Sequence, residues 1–182
     1  MGLDMYLRRK SYVKNWDHMR PEELHKITVK RGGRARADIK PERISYIIED
    51  VAYWRKANAI HRWFVTNCQD GTDDCREAFV THEHLAQLVM ACRQVLDVTE
   101  SVAGDVVEGV VYSGGQAKKI TKRGRVAANP KIADGVLPTQ AGFFFGSTDY
   151  DEYYLDDLRR TVEMIEPLLS DEEGEFYYHS SW

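Results

Sequence analysis

Two polar side chains, those of Asn58 and His61, stand where a helix would bury them, and both could take part in chemistry. Residues 54–64 have the pattern of one helix, in which about 100° per residue puts Asn58 and His61 in the apolar sector. A histidine can act as a general acid or base, and an amide can orient a substrate. Buried polar groups need hydrogen-bond partners, so the pair either bonds to the surrounding core or lines a pocket.

Three further residues of this segment could complete a ligand site. Trp54 comes one turn before Asn58 and could stack on a base or a sugar. Arg55 and Arg62 share a narrow stripe beside the apolar sector, from which a guanidinium could clamp a phosphate. The alternative is a core helix whose Asn and His side chains bond to neighbouring backbone.

The segment 142–149 is a second candidate for ligand binding. Small residues between an aromatic strand and a helix start leave backbone N–H groups free, which favours an anion. Ser147 and Thr148 could add hydroxyl donors. Acids in the first turn of the following helix already complement its dipole, so plain helix capping is the stronger interpretation.

A basic segment follows the glycine pair at 114–115. Residues 114–131 hold six Lys or Arg and no acid, and the segment is either a long loop or a twisted hairpin. Lys118 and Lys119 could close over a phosphorylated ligand, although a charge run is more often a solvated face. The whole chain has a formal charge of −4 and no nucleic-acid-binding motif, which argues against a nucleic-acid polymer as partner.

Cysteine usage predicts neither a metal site nor a disulfide framework. Cys68, Cys75, His82 and His84 lie near one another in sequence but lack zinc-finger spacing, so we expect no metal and no cofactor. Three cysteines without a CxxC pair fit a reducing cytosol. The chain has no apolar run of about 20 residues and no secretory signal, so we expect a cytoplasmic protein without membrane association.

The elements that must position these residues mix helices and strands without regular alternation. Thr81 is the predicted N-cap of a helix, and residues 147–149 offer caps for the last helix. This order predicts an α+β fold in one globular domain, 1–182, with a mixed or antiparallel sheet, about three helices and a basic loop or hairpin at about 113–131. Strands are expected at 3–7, 26–30, 76–80, 106–112, 141–146 and 175–180, and residues 43–47 suit either a strand or the start of the helix that reaches 67.

Four unusual strings are spread over most of the chain: MGLDMYL at the start, YWRKANAIH from residue 53, FFFGSTDYDEYY from residue 143, and YYHSSW at the end. In these strings the sequence resembles a family of phage and prophage proteins. The resemblance implies a phage accessory protein in the cytoplasm of a bacterial host, and it supplies no activity. Members are sometimes labelled phosphoglycerate kinase, a label that 182 residues without a GxxxxGK[ST] loop do not support.

Three functions remain open from the residues and the resemblance. The first is binding and sequestering a small anionic, nucleotide-like ligand, which in a phage would serve counter-defence by removing an immune signal of the host. The second is a metal-independent hydrolase or phosphodiesterase that uses His61 as general acid or base. The third is inhibition of a host defence complex by protein–protein contact, and a homo-oligomer is compatible with all three.

Overall fold

The computed structural model describes residues 2–113, 116–170 and 174–182, so the predicted turn at 114–115 lies outside the described residues. The predicted α+β class is confirmed, with the helices and strands in a mixed order and all sheet pairings antiparallel. In chain order the strands are β1 (Asp4–Tyr12), β2 (Lys30–Arg31), β3 (Arg34–Ala35), β4 (Tyr46–Arg55), β5 (Ala78–Val80), β6 (Ser101–Ser113), β7 (Gln116–Ala127) and β8 (Glu175–Ser181), and the α-helices are α1 (Asn58–Cys68), α2 (His82–Val98), α3 (Pro130–Val136) and α4 (Glu152–Ile165).

The central sheet has the strand order β4-β1-β8-β5. Alternation along β1 buries Met5 and Leu7, and Leu3 just before the strand is buried as well, which confirms the strand predicted at 3–7. The strand predicted at 175–180 is confirmed as β8, which pairs with both β1 and β5. Helices α1, α2 and α4 share one hydrophobic core with this sheet.

The prediction of one helix over residues 54–64 is wrong, because the chain is a strand up to Arg55 and a helix only from Asn58. Residues 46–54 are rich in β-branched and aromatic side chains, and β4 pairs with β1 so that Trp54 lies opposite Met5. Trp54 is buried by the alternation of a strand rather than by the period of a helix, while Arg55 points to solvent.

Two other predicted strands are absent at the predicted positions. The segment 26–30 is exposed except at the half-buried Ile27 and Val29, and among the described residues its only strand pairing is that of Lys30 in the two-residue ladder of β2 with β3. Gly32 and Gly33, in the turn between β2 and β3, have positive φ. In the segment 141–146 only Phe145 is buried, and positive φ at Phe144 and Gly146 interrupts the extended chain.

Helix boundaries are partly as predicted. Thr81 caps α2, accepting a hydrogen bond from the His84 amide at 3.0 Å. The cap of α4 is Asp151 rather than residues 147–149, because its Oδ1 accepts from the Tyr153 and Tyr154 amides. Helix α3 was not predicted: its seven residues are too short for a periodic signal, although Asn129 and Pro130 form a typical helix start.

The basic segment is a hairpin rather than a loop, since β7 pairs along its length with β6. Its base lies against the start of α4, where Val126 bridges to Asp151 and the Arg125 amide donates to Glu152 at 3.0 Å. None of the helices described here has the length and apolar character needed to cross a bilayer.

Candidate functional site

A cleft of about 470 Å³ opens between the β4–α1 junction and helix α4. The junction contributes one wall, together with Gly146 and Ser147, while α4 contributes the other and β6 closes one side. The lining side chains carry charges of both signs: three cations (Arg55, Lys56 and Arg160) and five carboxyls (Glu108, Asp149, Asp151, Asp156 and Asp157).

The junction wall is built by a tight backbone turn. Lys56 has a φ of 61°, in the left-handed region, and its amide donates to the Leu3 carbonyl at 2.8 Å. Ala57 then has φ −75° and ψ 68°, an inverse γ-turn closed by the Asn58 amide donating to the Lys56 carbonyl at 2.8 Å. The chain therefore enters α1 directly from the end of a strand.

This turn leaves two backbone amides in the first turn of α1, those of Ala59 and Ile60, without acceptors. Ala57, the N-cap, provides no side-chain oxygen, and the N–H groups of Ala59 and Ile60 bond to no acceptor in the described parts of the chain. Both residues are buried and line the cleft, so neither is simply open to bulk water. An anion bound in the cleft beside this turn would be favoured by the partial positive charge at the start of the helix.

The three cations of the cleft also lack close partners. The side chains of Arg55, Lys56 and Arg160 make no hydrogen bond or ion pair to any residue that the structure describes. Arg160 interacts with Asp157 only through a longer-range Coulomb attraction, which lowers the pKa of that carboxyl against the larger effect of its burial. Their guanidinium and ammonium groups are therefore available to a negatively charged ligand.

The five carboxyls divide into two groups. Three face cations: Glu108 is 3.4 Å from Lys122, Asp149 is 3.8 Å from Lys119, and Asp156 accepts from Arg159 at 2.6 Å. The remaining two, Asp151 and Asp157, have no cation in contact among the described residues.

Burial changes the proton affinity of those two carboxyls. It raises the pKa of Asp157 to about 7, with further upward contributions from Asp156 and Asp151. Burial also raises the pKa of Asp151, although its bonds to the Tyr153 and Tyr154 amides oppose the rise. Asp151 Oδ2 is buried without a hydrogen-bond partner in the described structure.

Asn58 has internal partners for its whole amide. Its Nδ2 donates to the carbonyls of Phe145 at 3.1 Å and Ser147 at 2.8 Å, and its Oδ1 accepts from the Gln140 amide at 3.1 Å. The side chain thus fastens the segment 140–147, which has no regular secondary structure, to the start of α1. Asn58 lines the cleft, but the hydrogen-bonding groups of its side chain are all used to hold the cleft wall in place.

His61 is fully buried and lies outside the cleft lining. Its Nε2 is 2.9 Å from Asp73 Oδ2 and its Nδ1 is 2.7 Å from the Tyr178 hydroxyl. Because a carboxylate only accepts, Nε2 carries the proton and Nδ1 accepts from the Tyr178 O–H. Asp73 also accepts from Gln140 at 3.3 Å and from Trp182 at 3.1 Å, so the network is internally satisfied and does not favour catalysis by His61.

The other residues predicted for ligand binding are dispersed. Trp54 donates from Nε1 to Thr161 Oγ1 at 2.8 Å and its ring packs against Phe64 in the core, so it cannot stack on a ligand. Arg62 is not part of the cleft lining, and it donates to the carbonyl of Thr139, which does line the cleft, at 3.0 Å. Arg55 and Ser147 line the cleft, whereas Thr148 and Lys118 do not.

The hairpin cations are largely neutralised within the molecule. Lys119 is 3.8 Å from Asp149, at the edge of the cleft, which gives it the nearest approach of the predicted hairpin residues to the site. Lys122 lies between Glu108 and Glu152, and Arg123 is 3.5 Å from Asp105. This pattern matches the interpretation of the charge run as a solvated face.

Sequence reasoning missed Lys56, Asp151, Asp157 and Arg160. The spacing of Asp157 and Arg160, three residues apart on a helix, shows that they share a face, but nothing in the sequence brings that face to the start of α1. Lys56 gave no signal, because its left-handed conformation is set by the junction. Within the described residues, no group of three His, Cys, Asp or Glu side chains is placed to hold a metal ion.

Comparison of the chain with protein-family models, with curated proteins and with solved structures finds no match. The resemblance to phage and prophage proteins stays a prediction, and any function has to be argued from the cleft itself.

Proposed function

We propose that this protein binds a small phosphorylated ligand of nucleotide type in the cleft between the β4–α1 junction and α4. The observation that carries the proposal is the start of α1, where two buried amides without acceptors in the described residues lie beside a cleft lined by three cations whose side chains have no close partners there. Unsatisfied donors and unpaired positive charge in one concave site are what a phosphate group requires.

The size and the remaining lining of the cleft suit the rest of such a ligand. A volume of about 470 Å³ lies in the usual range for small-molecule sites. Tyr153 lines the cleft with its ring partly exposed, which offers a surface for a base or a sugar. The carboxyls of α4 can accept hydrogen bonds from donor groups of the ligand, away from its phosphate.

Binding without turnover is favoured over hydrolysis by the position of His61. The imidazole lies outside the cleft lining and both of its nitrogens are engaged, so it reaches no bound ligand without disrupting the core. The proposal is therefore sequestration, and the counter-defence role in a bacterial host that the phage resemblance implies remains a prediction beyond it.

The test is calorimetric titration with the 5′-monophosphates of adenosine, guanosine, cytidine and uridine and with their 3′,5′-cyclic forms. We expect saturable binding with Kd below about 1 mM for at least one of them. Arg160→Gln should weaken it roughly tenfold or more, since a charge-assisted phosphate contact is worth about 1.5–3 kcal/mol. Arg159→Gln is the matched control, because Arg159 is adjacent but lies outside the cleft lining and bonds to Asp156.

The same samples separate binding from catalysis. Chromatography of the ligand after heat denaturation should return it intact. A chemically altered ligand would support the hydrolase alternative instead. Absence of binding to every nucleotide at millimolar concentration, or equal weakening by the two arginine variants, would overturn the proposal.

A further inference from the structure

We propose that the α4 wall of the cleft recognises an amino group, so that the bound nucleotide carries a base with an exocyclic amine. The inference rests on the proposed function, because a phosphate at the start of α1 would direct the rest of the ligand toward α4. The two carboxyls that would accept from the amine are those of Asp151 and Asp157.

Asp151 supplies the first observation. Asp151 is 1% exposed and lines the cleft. One carboxylate oxygen, Oδ1, caps α4 by accepting from the Tyr153 and Tyr154 amides. The other, Oδ2, is buried and has no partner in the described structure. A buried acceptor left without a donor is destabilising, so a donor from a ligand would restore a missing hydrogen bond.

Asp157 supplies the second, independent observation. Its side chain makes no hydrogen bond or ion pair with any described residue, although the other cleft carboxyls Glu108, Asp149 and Asp156 face cations. It lies on the same wall as Asp151, close enough that the charge of Asp151 raises its pKa. Two carboxyls without partners therefore line the α4 wall of the cleft.

The chemistry of a carboxylate decides which ligand edge fits. Ionised carboxylate oxygens accept hydrogen bonds and donate none. An amino group donates two, whereas a carbonyl at the same position of a base would meet the carboxylate oxygens with its own lone pairs. A site built to bond an N–H group discriminates strongly against an analogue that lacks it, because its buried acceptors then stay unpaired.

The experiment compares pairs of nucleotides whose bases differ at the amino position. AMP with IMP and CMP with UMP each exchange an amino group for a carbonyl, and the adjacent ring nitrogen changes from an acceptor to an N–H donor, while sugar and phosphate stay the same. Purine riboside 5′-monophosphate, which has hydrogen in place of the amino group of AMP and the same ring nitrogens, isolates the amino group and should also bind at least tenfold more weakly than AMP. Calorimetric titration at pH 8 should give affinities at least tenfold tighter for AMP over IMP and for CMP over UMP. The pH is chosen so that Asp157 is mainly ionised, given its pKa of about 7.

Two variants assign the preference to the carboxyls. Asp157→Leu removes both carboxylate oxygens of that residue. Asp151→Ser keeps one side-chain oxygen that can cap α4 and removes the second acceptor, Oδ2. Either change should reduce the amino preference, measured as the ratio of the two affinities within each pair, to less than threefold. The ratio is the readout because removing a negative charge from the cleft also changes the affinity for every phosphorylated ligand. Glu163→Leu is the matched control, because Glu163 is exposed on the same helix and lies outside the cleft lining.

The outcomes separate this inference from the proposed function. Equal affinities within each pair, or tighter binding of IMP and UMP, would overturn amino recognition while leaving phosphate binding intact. A preference that survives both Asp157→Leu and Asp151→Ser would overturn its assignment to these residues. If none of the four nucleotides binds, this inference fails, and the proposed function fails as well only if GMP and the cyclic nucleotides also do not bind.

Discussion

Neighbouring residues in the first turn of α1 differ in whether their buried polar groups have hydrogen-bond partners. At His61 both ring nitrogens, the Tyr178 hydroxyl and the Asp73 carboxylate are joined in one network. The Ala59 and Ile60 amides, by contrast, have no acceptor among the described residues, and the nearby cleft side chains of Arg55, Lys56 and Arg160 have no close partner there. Burial alone does not mark a functional residue; what distinguishes the two regions is whether each polar atom already has an internal partner.

Replacing His61 by alanine should cause the largest change in stability. The substitution removes the hydrogen-bond partner of the buried Tyr178 hydroxyl and one of the three donors to Asp73, and it opens a cavity, so the free energy of unfolding should fall by about 3 kcal/mol. Urea denaturation followed by tryptophan fluorescence measures this loss.

The comparison with an exposed histidine controls for the residue type. His18 is exposed, so His18→Ala should change the free energy of unfolding by less than about 0.5 kcal/mol. Nucleotide affinity of His61→Ala, measured well below its melting temperature, should be close to that of the unmodified chain. A stability loss under about 1 kcal/mol, or a specific loss of binding, would contradict the view that this network is structural.

Asp157→Asn should have an intermediate effect that depends on pH. The folded-state pKa of Asp157 is about 7, above the value near 4 of an unfolded chain, so ionisation of this carboxyl destabilises the fold as pH rises from about 4 through 7. The variant should therefore be more stable at pH 8, by about 1–2 kcal/mol after allowance for the partial solvent exposure of the side chain.

Denaturation curves at several pH values test the sign of this effect. The difference in unfolding free energy between Asp157→Asn and the unmodified chain should shrink steadily from pH 8 to pH 4, because the Asp157 carboxyl becomes protonated in both the folded and the unfolded state. The charges that face Asp157 are those of Asp151, Asp156 and Arg160, and they are common to the two proteins. An advantage that grows toward low pH would refute the assignment of a raised pKa.

Of the three changes, Lys56→Gly should alter the free energy of unfolding least. It should raise stability and weaken nucleotide binding. Glycine adopts the left-handed conformation of Lys56 without the cost of a Cβ, which offsets its greater entropy loss and should leave the variant about 0.5 kcal/mol more stable. The loss of one cleft cation should weaken nucleotide binding in the same variant. Thermal denaturation and calorimetric titration measure the two effects.

Lys40 offers a matched position with ordinary backbone geometry. It is an exposed-surface lysine with φ −93°, so Lys40→Gly should lower stability by about 0.5 kcal/mol and leave nucleotide affinity unchanged. If Lys56→Gly destabilises the protein as much as Lys40→Gly does, the strain assigned to the junction is absent.

Local patterns predicted much of the fold and little of the cleft. Alternating apolar residues identified β1 and β8, and Thr81 identified the start of α2, because each signal arises within a few residues. The segment 54–64 was misassigned because the same apolar spacing fits a strand that continues into a helix. The cleft residues Asp157 and Arg160 were missed, since only packing brings α4 to the start of α1.

The sequence by itself determined that the protein has an α+β fold, because the types of its elements follow from local periodicity. It also placed Asn58 and His61 among buried residues, which the structure confirms, although the helix that it assumed starts too early. Only the tertiary structure decided which polar atoms have partners. The partner of Asn58 Oδ1 is 82 residues away along the chain, and that of His61 Nδ1 is 117 residues away. Hydrogen bonds over such separations depend on how the helices and strands pack. Only this packing shows that Asn58 and His61 are bonded within the protein, whereas cleft residues near them carry the groups without partners.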